Sequence, residues 1–279
     1  MISLEASQAH CRGVAKKRAK NFYYSFVLLS SEKKNAMCAL YAFMRYCDDL
    51  SDEPGATVTA MDRWRQALTD ALNGQPDSGP VWPAFLDAVV RYRIPHGYFY
   101  DMIDGVSSDL SPHTFGTFAE LYQYCYRVAS VVGLTTVHIF GFDSPEALPL
   151  AEKCGIAFQL TNILRDIRED AGLGRIYLPS EDLDAFGVLP GDLKQSRRTD
   201  AFQLLMDFEI ARARRYYAES APLVDLVHKE SRGSLRALIA IYSGLLERIA
   251  ESPSDVLTRR IALPATEKVW IVARSALGG

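Results

Sequence analysis

The sequence predicts an all-α protein, and two observations carry that prediction. Apolar residues recur mostly at helical spacing, as in the segments at 36–44 and 202–210. Alternating apolar and polar runs bounded by turn pairs, the pattern of β-strands, are nearly absent. Breaker residues divide the chain into about ten blocks, which predicts about ten helices joined by short connections.

The blocks follow one another between recognisable breakers. These lie near Ser30-Ser31, Pro54-Gly55, Gly74 to Pro83, Pro95, Ser111-Pro112, Ser144-Pro145, Gly172-Gly174, Pro190-Gly191 and Ser252-Pro253. The stretch "GQPDSG" at 74–79 predicts a loop, and the nearly uncharged run at 128–142 predicts a deeply buried helix. Ser144 and Ser180 are expected N-caps, because their hydroxyls accept hydrogen bonds from the free N–H groups of a first helical turn.

Composition predicts one globular domain spanning residues 1–279. Of the 279 residues, 48% are hydrophobic and 23% are charged, the usual proportions for a protein with a sizeable core. The formal net charge of −3 provides no general attraction for phosphate backbones. We therefore expect no nucleic-acid partner, and the oligomeric state is not indicated.

Cysteine usage and the N-terminal segment predict a cytoplasmic location. The five cysteines are widely spaced and include no CxxC pair, which argues against a disulfide framework or a zinc site. The first residues, "MISLEASQAHCRG", contain no apolar signal core. The run at 128–142 is shorter than the roughly 20 residues that span a bilayer. Any membrane contact is therefore expected to be peripheral.

Two acidic segments carry the first functional signal. In "YAFMRYCDDLSDE" at 41–53, the residues of one helical stripe are Tyr41, Arg45, Asp48 and Asp52. In "NILRDIRED" at 162–170 and the residues before it, a second stripe consists of Gln159, Asn162, Asp166 and Asp170, with Arg165 beside it. Either stripe alone would most simply be a solvated helix face.

The pair of stripes indicates a different role. Each lies at the C-terminal end of a long apolar helix, just before a breaker, and each places an arginine beside its acids. Like charges held against a core cost several kcal/mol unless a cation compensates them. Carboxylate oxygens suit Mg²⁺, which shares its coordination shell with phosphate oxygens, and arginines bind diphosphate directly. The sequence therefore predicts a metal–diphosphate site between helices.

The residues that carry both stripes also resemble a known family, the squalene/phytoene synthases, which couple two prenyl diphosphates head to head (1′–1). The resemblance rests on "AKNFYYSFVLLSSEKKNAMCALYAFMRYCDDLSDE" at 19–53, "YCYRVASVVG" at 124–133, "GIAFQLTNILRDIREDAGLGRIYLP" at 155–179 and "RRIALP" at 259–264. It implies a single-domain, all-α isoprenoid synthase fold with a central active-site cavity. It also implies a flap over the diphosphates, formed by "AGLGRIYLP" at 171–179.

The resemblance implies roles for individual residues. The Mg²⁺ ligands would be Asp48, Asp52, Asp166 and Asp170. The catalytic residues would be Tyr41, Arg45, Tyr124, Arg165 and Tyr177. The substrate-binding residues would be Lys20, Asn21, Phe22, Phe26, Gln159, Asn162 and Arg260, with Leu134, Val137 and Leu160 in the cavity wall. Asn21 stands where the family often has serine. Asp101, Asp104 and Asp109 are expected to cap helices or face solvent.

The implied reaction is the Mg²⁺-dependent condensation of two farnesyl diphosphates to presqualene diphosphate or squalene, with diphosphate release, in a hopanoid or sterol-like pathway. Phytoene synthase, which uses two geranylgeranyl diphosphates, and dehydrosqualene synthase are the alternatives. A catalytically silent assembly factor is the alternative outside enzymes, and it is disfavoured because both DxxxD pairs are present. No glycine-rich dinucleotide fingerprint indicates NADPH.

Overall fold

The computed structural model of the chain describes residues 2–19, 21–52, 57–111 and 114–277, except for the side chain of Asp52. The α-helices of these residues are α1 (Leu4–Arg18), α2 (Phe22–Phe26), α3 (Ser31–Asp52), α4 (Val58–Leu72), α5 (Trp82–Arg91), α6 (Gly97–Ser108), α7 (Phe118–Cys125), α8 (Val131–Phe140), α9 (Ala147–Gly172), α10 (Ser180–Phe186), α11 (Pro190–Lys194), α12 (Asp200–Ser220), α13 (Leu223–Leu226), α14 (Lys229–Ala250) and α15 (Ala265–Leu277).

The all-α prediction is confirmed. Extended pairing in the described ranges amounts to two isolated bridges, Thr114 with Ile176 and Phe142 with Val227. A π-helical turn at Tyr126–Ser130 joins α7 to α8, and a 3₁₀ turn at Pro253–Leu257 follows α14. The helices outnumber the predicted blocks because short helices occupy connections that the breakers marked as turns.

Threonine side chains cap the N-termini of three helices. Thr57, Thr117 and Thr199 each accept a hydrogen bond from an N–H group three residues later, at 3.2, 3.3 and 3.0 Å. The predicted serine caps are wrong in detail. Ser144 accepts from Glu146 N–H at 3.3 Å, but α9 starts at Ala147 with Glu146 as its N-cap, and Ser180 is already the first residue of α10.

Helix α9 is the central element of the molecule, packed against α8, α12, α14 and the π-helical turn. Two glycines allow the close approach of these backbones. A Cβ at Gly155 would lie 2.5 Å from the Cα of Ser130, and a Cβ at Gly133 would lie 2.8 Å from the carbonyl oxygen of Ala151. Neither position can carry a larger side chain without moving a backbone.

An aromatic cluster packs against the side of α3 that faces away from its acidic stripe. The Phe43 ring stacks on Phe85 with centroids 4.4 Å apart and also contacts Trp64, Trp82 and Phe99. Because Phe43 points away from the stripe that contains Tyr41, this packing turns the stripe toward α9. None of the described helices is both long and apolar enough to cross a lipid bilayer.

Candidate active site

A cavity of about 250 Å³ lies among α2, α3, α6, α8, α9 and α14. Its polar lining comes from the two acidic stripes, with Tyr41, Arg45 and Asp48 on α3 and Gln159 and Asn162 on α9. The remaining wall is predominantly apolar. The cavity therefore offers a polar region for a charged head group and an apolar chamber for a chain.

An ion-pair system orients the polar groups of α3. Asp49, one position beyond Asp48, accepts hydrogen bonds from Arg45 and, at 2.8 Å, from Arg18. The Nε atom of Arg45 is buried and has no hydrogen-bond partner among the described residues. Burial, partly offset by the neighbouring charge of Arg45, raises the pKa of Tyr41 to about 12, so this phenol stays protonated and can donate.

Two arginines form ion pairs with Asp166 of α9. Arg165, whose side chain is 12% exposed, pairs with it from the adjacent position, and the Nε of Arg260 lies 3.1 Å from its Oδ1. Burial, followed by the charge of Asp166 and further contributions that include Asp109, raises the pKa of Asp170 to about 7. The end of α9 thus places Asp166, Glu169 and Asp170 close together beside Arg165 and Arg260.

Asp109, the C-cap of α6, organises two tyrosines of this site. Tyr124 donates to its Oδ2 and Tyr177 donates to its Oδ1, each at 2.9 Å, while Arg175 donates to its carbonyl oxygen at 3.2 Å. The rings of Tyr124 and Tyr177 stack with centroids 5.2 Å apart. The sequence predicts a helix cap or a solvent-facing group here, but the carboxylate accepts hydrogen bonds from two tyrosines. Its spacing in "YDMIDGVSSDL" contained no sign of these partners.

The segment at 174–181, which includes most of the predicted flap at 171–179, lies against the residues that precede α7. Ile176 bridges to Thr114, and the N–H groups of Ser180 and Glu181 donate to Phe115 and Gly116 at 2.8 and 3.1 Å. Gly174 has a φ of +80°, a conformation that suits glycine, where the chain turns out of α9. These contacts place Tyr177 within hydrogen-bonding distance of Asp109.

A buried ion cluster anchors the helix that follows this segment. Arg212 of α12 donates to Asp182 of α10 at 2.7 Å and to Glu209 at 2.8 Å. Its guanidinium also lies 4.1 Å from the ring centre of Phe118. Burial, partly offset by Arg212, raises the pKa of Glu209 to about 8.

Tyr242 of α14 is a site residue that the sequence did not reveal. It lines the cavity, stacks on Phe158 at 4.4 Å and contacts Phe22 at 5.5 Å, and its hydroxyl bonds the side chain of Asn21. Burial, partly offset by Arg165, raises its pKa to about 12. The periodicity of "LIAIYSGLL" at 238–246 marks this tyrosine only as a core residue.

The apolar wall partly matches the prediction. Phe22, Phe26 and Val137 line the cavity, but the expectation for Leu134 and Leu160 was wrong. Both leucines are buried in the helix-packing core, outside the part of the wall that the structure describes, because each lies on a face of its helix turned to neighbouring helices. Hydroxyl groups in the wall are satisfied internally: Thr135 and Thr136 both donate to the carbonyl of Val132, at 2.9 and 2.7 Å.

The predicted residues do not all lie on the cavity surface. Tyr124, Tyr177, Arg165, Asp166 and Asp170 surround the end of α9 and are outside the described lining of the cavity. Arg260 reaches this group from a polar crevice that it shares with Arg248 and Arg259. Lys20 and the side chain of Asp52 lie outside the described residues.

The residues present fit a hard divalent cation. The Oδ1 atom of Asn162 is buried and has no partner among the described residues, and an amide oxygen is a suitable ligand. Asp48 and Gln159 line the same cavity, and Asp170, whose pKa is raised by burial and next by the charge of Asp166, adds a carboxylate at the end of α9. Within the described ranges, no three His, Cys, Asp or Glu side chains form a ready-made metal cage. Mg²⁺ matches such a donor set, because it takes remaining ligands from water and phosphate.

Comparison with known proteins places these features in a family. Over 98% of its length the chain is 35% identical to phytoene synthase 3 of Zea mays, and it spans 66% of that protein, just under two thirds. Over 96% of its length it is 34% identical to 15-cis-phytoene synthase of Synechococcus elongatus, and it spans 92% of that protein.

Solved structures show the same architecture. A dehydrosqualene synthase in complex with ligand matches with a TM-score of 0.90 at 30% identity, over 98% of this chain and 96% of the other. The squalene synthase HpnC from Alicyclobacillus acidocaldarius matches with a TM-score of 0.84 at 27% identity, over 90% of this chain and 95% of the other. The expected isoprenoid synthase fold is confirmed.

The model of the family described as "Squalene/phytoene synthase" matches residues 15–267. Members of this family are prenyltransferases that condense prenyl diphosphates head to head. The match takes in both acidic stripes, the segment at 174–181 and Arg260. The chain therefore belongs to the squalene/phytoene synthase family and is a prenyltransferase.

Proposed function

We propose that this enzyme condenses two geranylgeranyl diphosphates head to head, the reaction of a phytoene synthase. The observation that carries the choice of donor is the similarity, over nearly the whole chain, to relatives named phytoene synthase. The cavity wall is compatible with a long donor, because Ala129, Ala151 and Cys154 line it with small side chains. This donor replaces farnesyl diphosphate as the leading candidate.

The head groups would bind where the two stripes meet. Asp48, Asp52, Asp166 and Asp170, with the free amide oxygen of Asn162, would hold Mg²⁺. When bound, Mg²⁺ neutralises charge on the diphosphate and makes it a better leaving group.

Arginine side chains would share in neutralising the departing diphosphate. The buried Nε of Arg45 is a donor without a partner among the described residues, and Arg165 and Arg260 already converge on Asp166. Guanidinium groups bind phosphate oxygens in bidentate fashion. Tyr41 would add a neutral donor, since its raised pKa keeps the phenol protonated.

Loss of diphosphate from one donor leaves an allylic cation, which the C2–C3 double bond of the second donor attacks, and loss of a proton then closes a cyclopropane ring. The chamber would protect that cation from water with the apolar wall. Phe158 and Tyr242 stack there and Phe22 lies tilted against Tyr242, and aromatic ring faces attract cations. Tyr124 and Tyr177, whose hydroxyls donate to Asp109, would present their stacked rings near the end of α9.

A second candidate is condensation of two farnesyl diphosphates. It is favoured by the structural matches to proteins named dehydrosqualene synthase and squalene synthase. The two candidates share the head-group site and differ in the length of chain that the apolar chamber accepts.

The test is to incubate purified enzyme and Mg²⁺ with each prenyl diphosphate separately, with and without NADPH, and to identify products by mass spectrometry. Asp166→Asn would remove a predicted ligand, whereas Asp104→Asn changes an exposed carboxylate that pairs with Arg65 on α4. A C40 product, lost only in Asp166→Asn, supports the proposal. A C30 product from farnesyl diphosphate alone would assign the second candidate, and no product from either would revive the assembly-factor alternative.

A further inference from the structure

The C-terminal helix α15 turns apolar residues outward. Its outer stripe consists of Val269, Trp270, Ala273 and Leu277, which recur at spacings of one, three and four residues and so share one face. Val269, Trp270 and Leu277 are 57%, 60% and 85% exposed. A surface helix normally presents its polar face to water, so this orientation is the reverse of the ordinary one.

The charges around this outer stripe are mainly positive. The guanidinium of Arg274 lies 5.4 Å from the ring centre of Trp270, and the ammonium of Lys268 lies 5.6 Å from the ring centre of Tyr24. The acid of this helix, Glu267, is paired with Arg248 at 3.1 Å. An exposed tryptophan beside basic side chains is the composition of helices that lie in a membrane interface.

The outer stripe lies behind the wall of the cavity. Helix α15 packs on α2 and α14, and these helices supply Phe22, Phe26 and Leu238 to the apolar chamber. A Cβ at Gly233 would lie 3.4 Å from the carbonyl oxygen of Ser275 and 3.6 Å from Leu28, so the end of α15 and the end of α2 meet there.

We propose that the outer stripe of α15 docks the enzyme on an anionic lipid surface. The choice of lipid rests on the proposed function, because a hydrocarbon product leaves an apolar chamber for an apolar destination. A second copy of the chain is a poorer occupant. A helix of 13 residues is about 20 Å long and 10 Å wide, so its face offers about 200 Å², against about 800 Å² per partner in a stable dimer.

Vesicle sedimentation tests this surface. The double variant Val269→Ser/Trp270→Ser removes apolar area from the outer stripe, and Val90→Ser removes a 76% exposed valine from α5 as a matched control. We expect wild type to bind vesicles containing phosphatidylglycerol more tightly than vesicles of phosphatidylcholine alone. The double variant should bind about tenfold more weakly, and Val90→Ser should bind as wild type does.

Tryptophan emission gives an independent readout. Trp64 and Trp82 belong to the aromatic core, so a blue shift on adding vesicles would come from Trp270. The proposal is overturned if wild type binds neither the phosphatidylglycerol nor the phosphatidylcholine vesicles, or if the double variant binds as tightly as wild type. A dimer in sedimentation equilibrium that only the double variant loses would assign the face to self-association. Because binding needs no turnover, failure of the proposed reaction would leave this readout intact.

Discussion

Replacing Asp109 with alanine should loosen the site and destabilise the protein. The substitution removes the acceptor of two tyrosine hydroxyls, each 2.9 Å away, from different parts of the chain. Tyr124 is buried and Tyr177 is half-buried, and burial raises the pKa of both phenols well above the ordinary value, so both remain protonated donors. Without the carboxylate, each donor loses an ionised acceptor in a poorly solvated setting.

The magnitude follows from the two bonds. A hydrogen bond to a charged group contributes about 1.5–3 kcal/mol, so losing both should lower the free energy of unfolding by about 3–6 kcal/mol. Asp109→Asn keeps one acceptor oxygen and should lose about half as much. Asp104→Ala, on the same helix, breaks an exposed pair with Arg65 and should cost less than about 1 kcal/mol.

Urea unfolding followed by circular dichroism would measure these differences, and steady-state kinetics would show whether kcat falls with them. A double-mutant cycle of Asp109→Ala with Tyr177→Phe isolates one of the bonds. The reasoning fails if Asp109→Ala costs no more than Asp104→Ala, or if the Asp109 and Tyr177 effects are additive.

Three further predictions concern pH, packing and metal binding. The pKa of Glu209 in the folded protein, about 8, exceeds the ordinary glutamate value of 4.5, so its contribution to stability is complete below pH 4.5 and is lost as pH rises through 8. Calorimetry from pH 6 to 9 should therefore show a flatter Tm profile for Glu209→Gln, and identical slopes would contradict this. Gly155→Ala places a Cβ 2.5 Å from the Cα of Ser130 and should lower the free energy of unfolding, measured in urea, by about 1–3 kcal/mol. The control Gly172→Ala meets nothing within 4 Å and should leave stability unchanged. Equal urea midpoints for the two variants would refute the close packing at Gly155. Asn162→Ala should raise the Mg²⁺ concentration for half-maximal activity about tenfold without shifting the urea midpoint, and an unchanged Mg²⁺ requirement would count against Asn162 as a ligand.

The fold class and the stripes were readable from sequence because helical periodicity is local. The spacing of Tyr41, Arg45 and Asp48 places them on one face of any helix, and the same holds for Gln159 and Asn162. The resemblance to the squalene/phytoene synthases then implied which faces meet. The structure places these five residues around one cavity.

Contacts between distant segments were not readable in this way. Asp109 meets Tyr177 only because the segment at 174–181 docks beside α7, and nothing near Asp109 in sequence encodes that approach. Leu134 and Tyr242 show the same limit: both follow an apolar pattern, yet the leucine packs in the core and the tyrosine lines the cavity.

The sequence by itself determined which residues share a helical face, and with the family resemblance it determined the fold and the class of reaction. The tertiary structure alone decided what each face touches. Helix α15 makes the difference plain, because its apolar stripe reads in sequence like the buried side of any surface helix, but Val269, Trp270 and Leu277 face outward. Periodicity sets the direction of a side chain relative to its own helix, whereas packing against α2 and α14 sets the direction of the helix relative to the core.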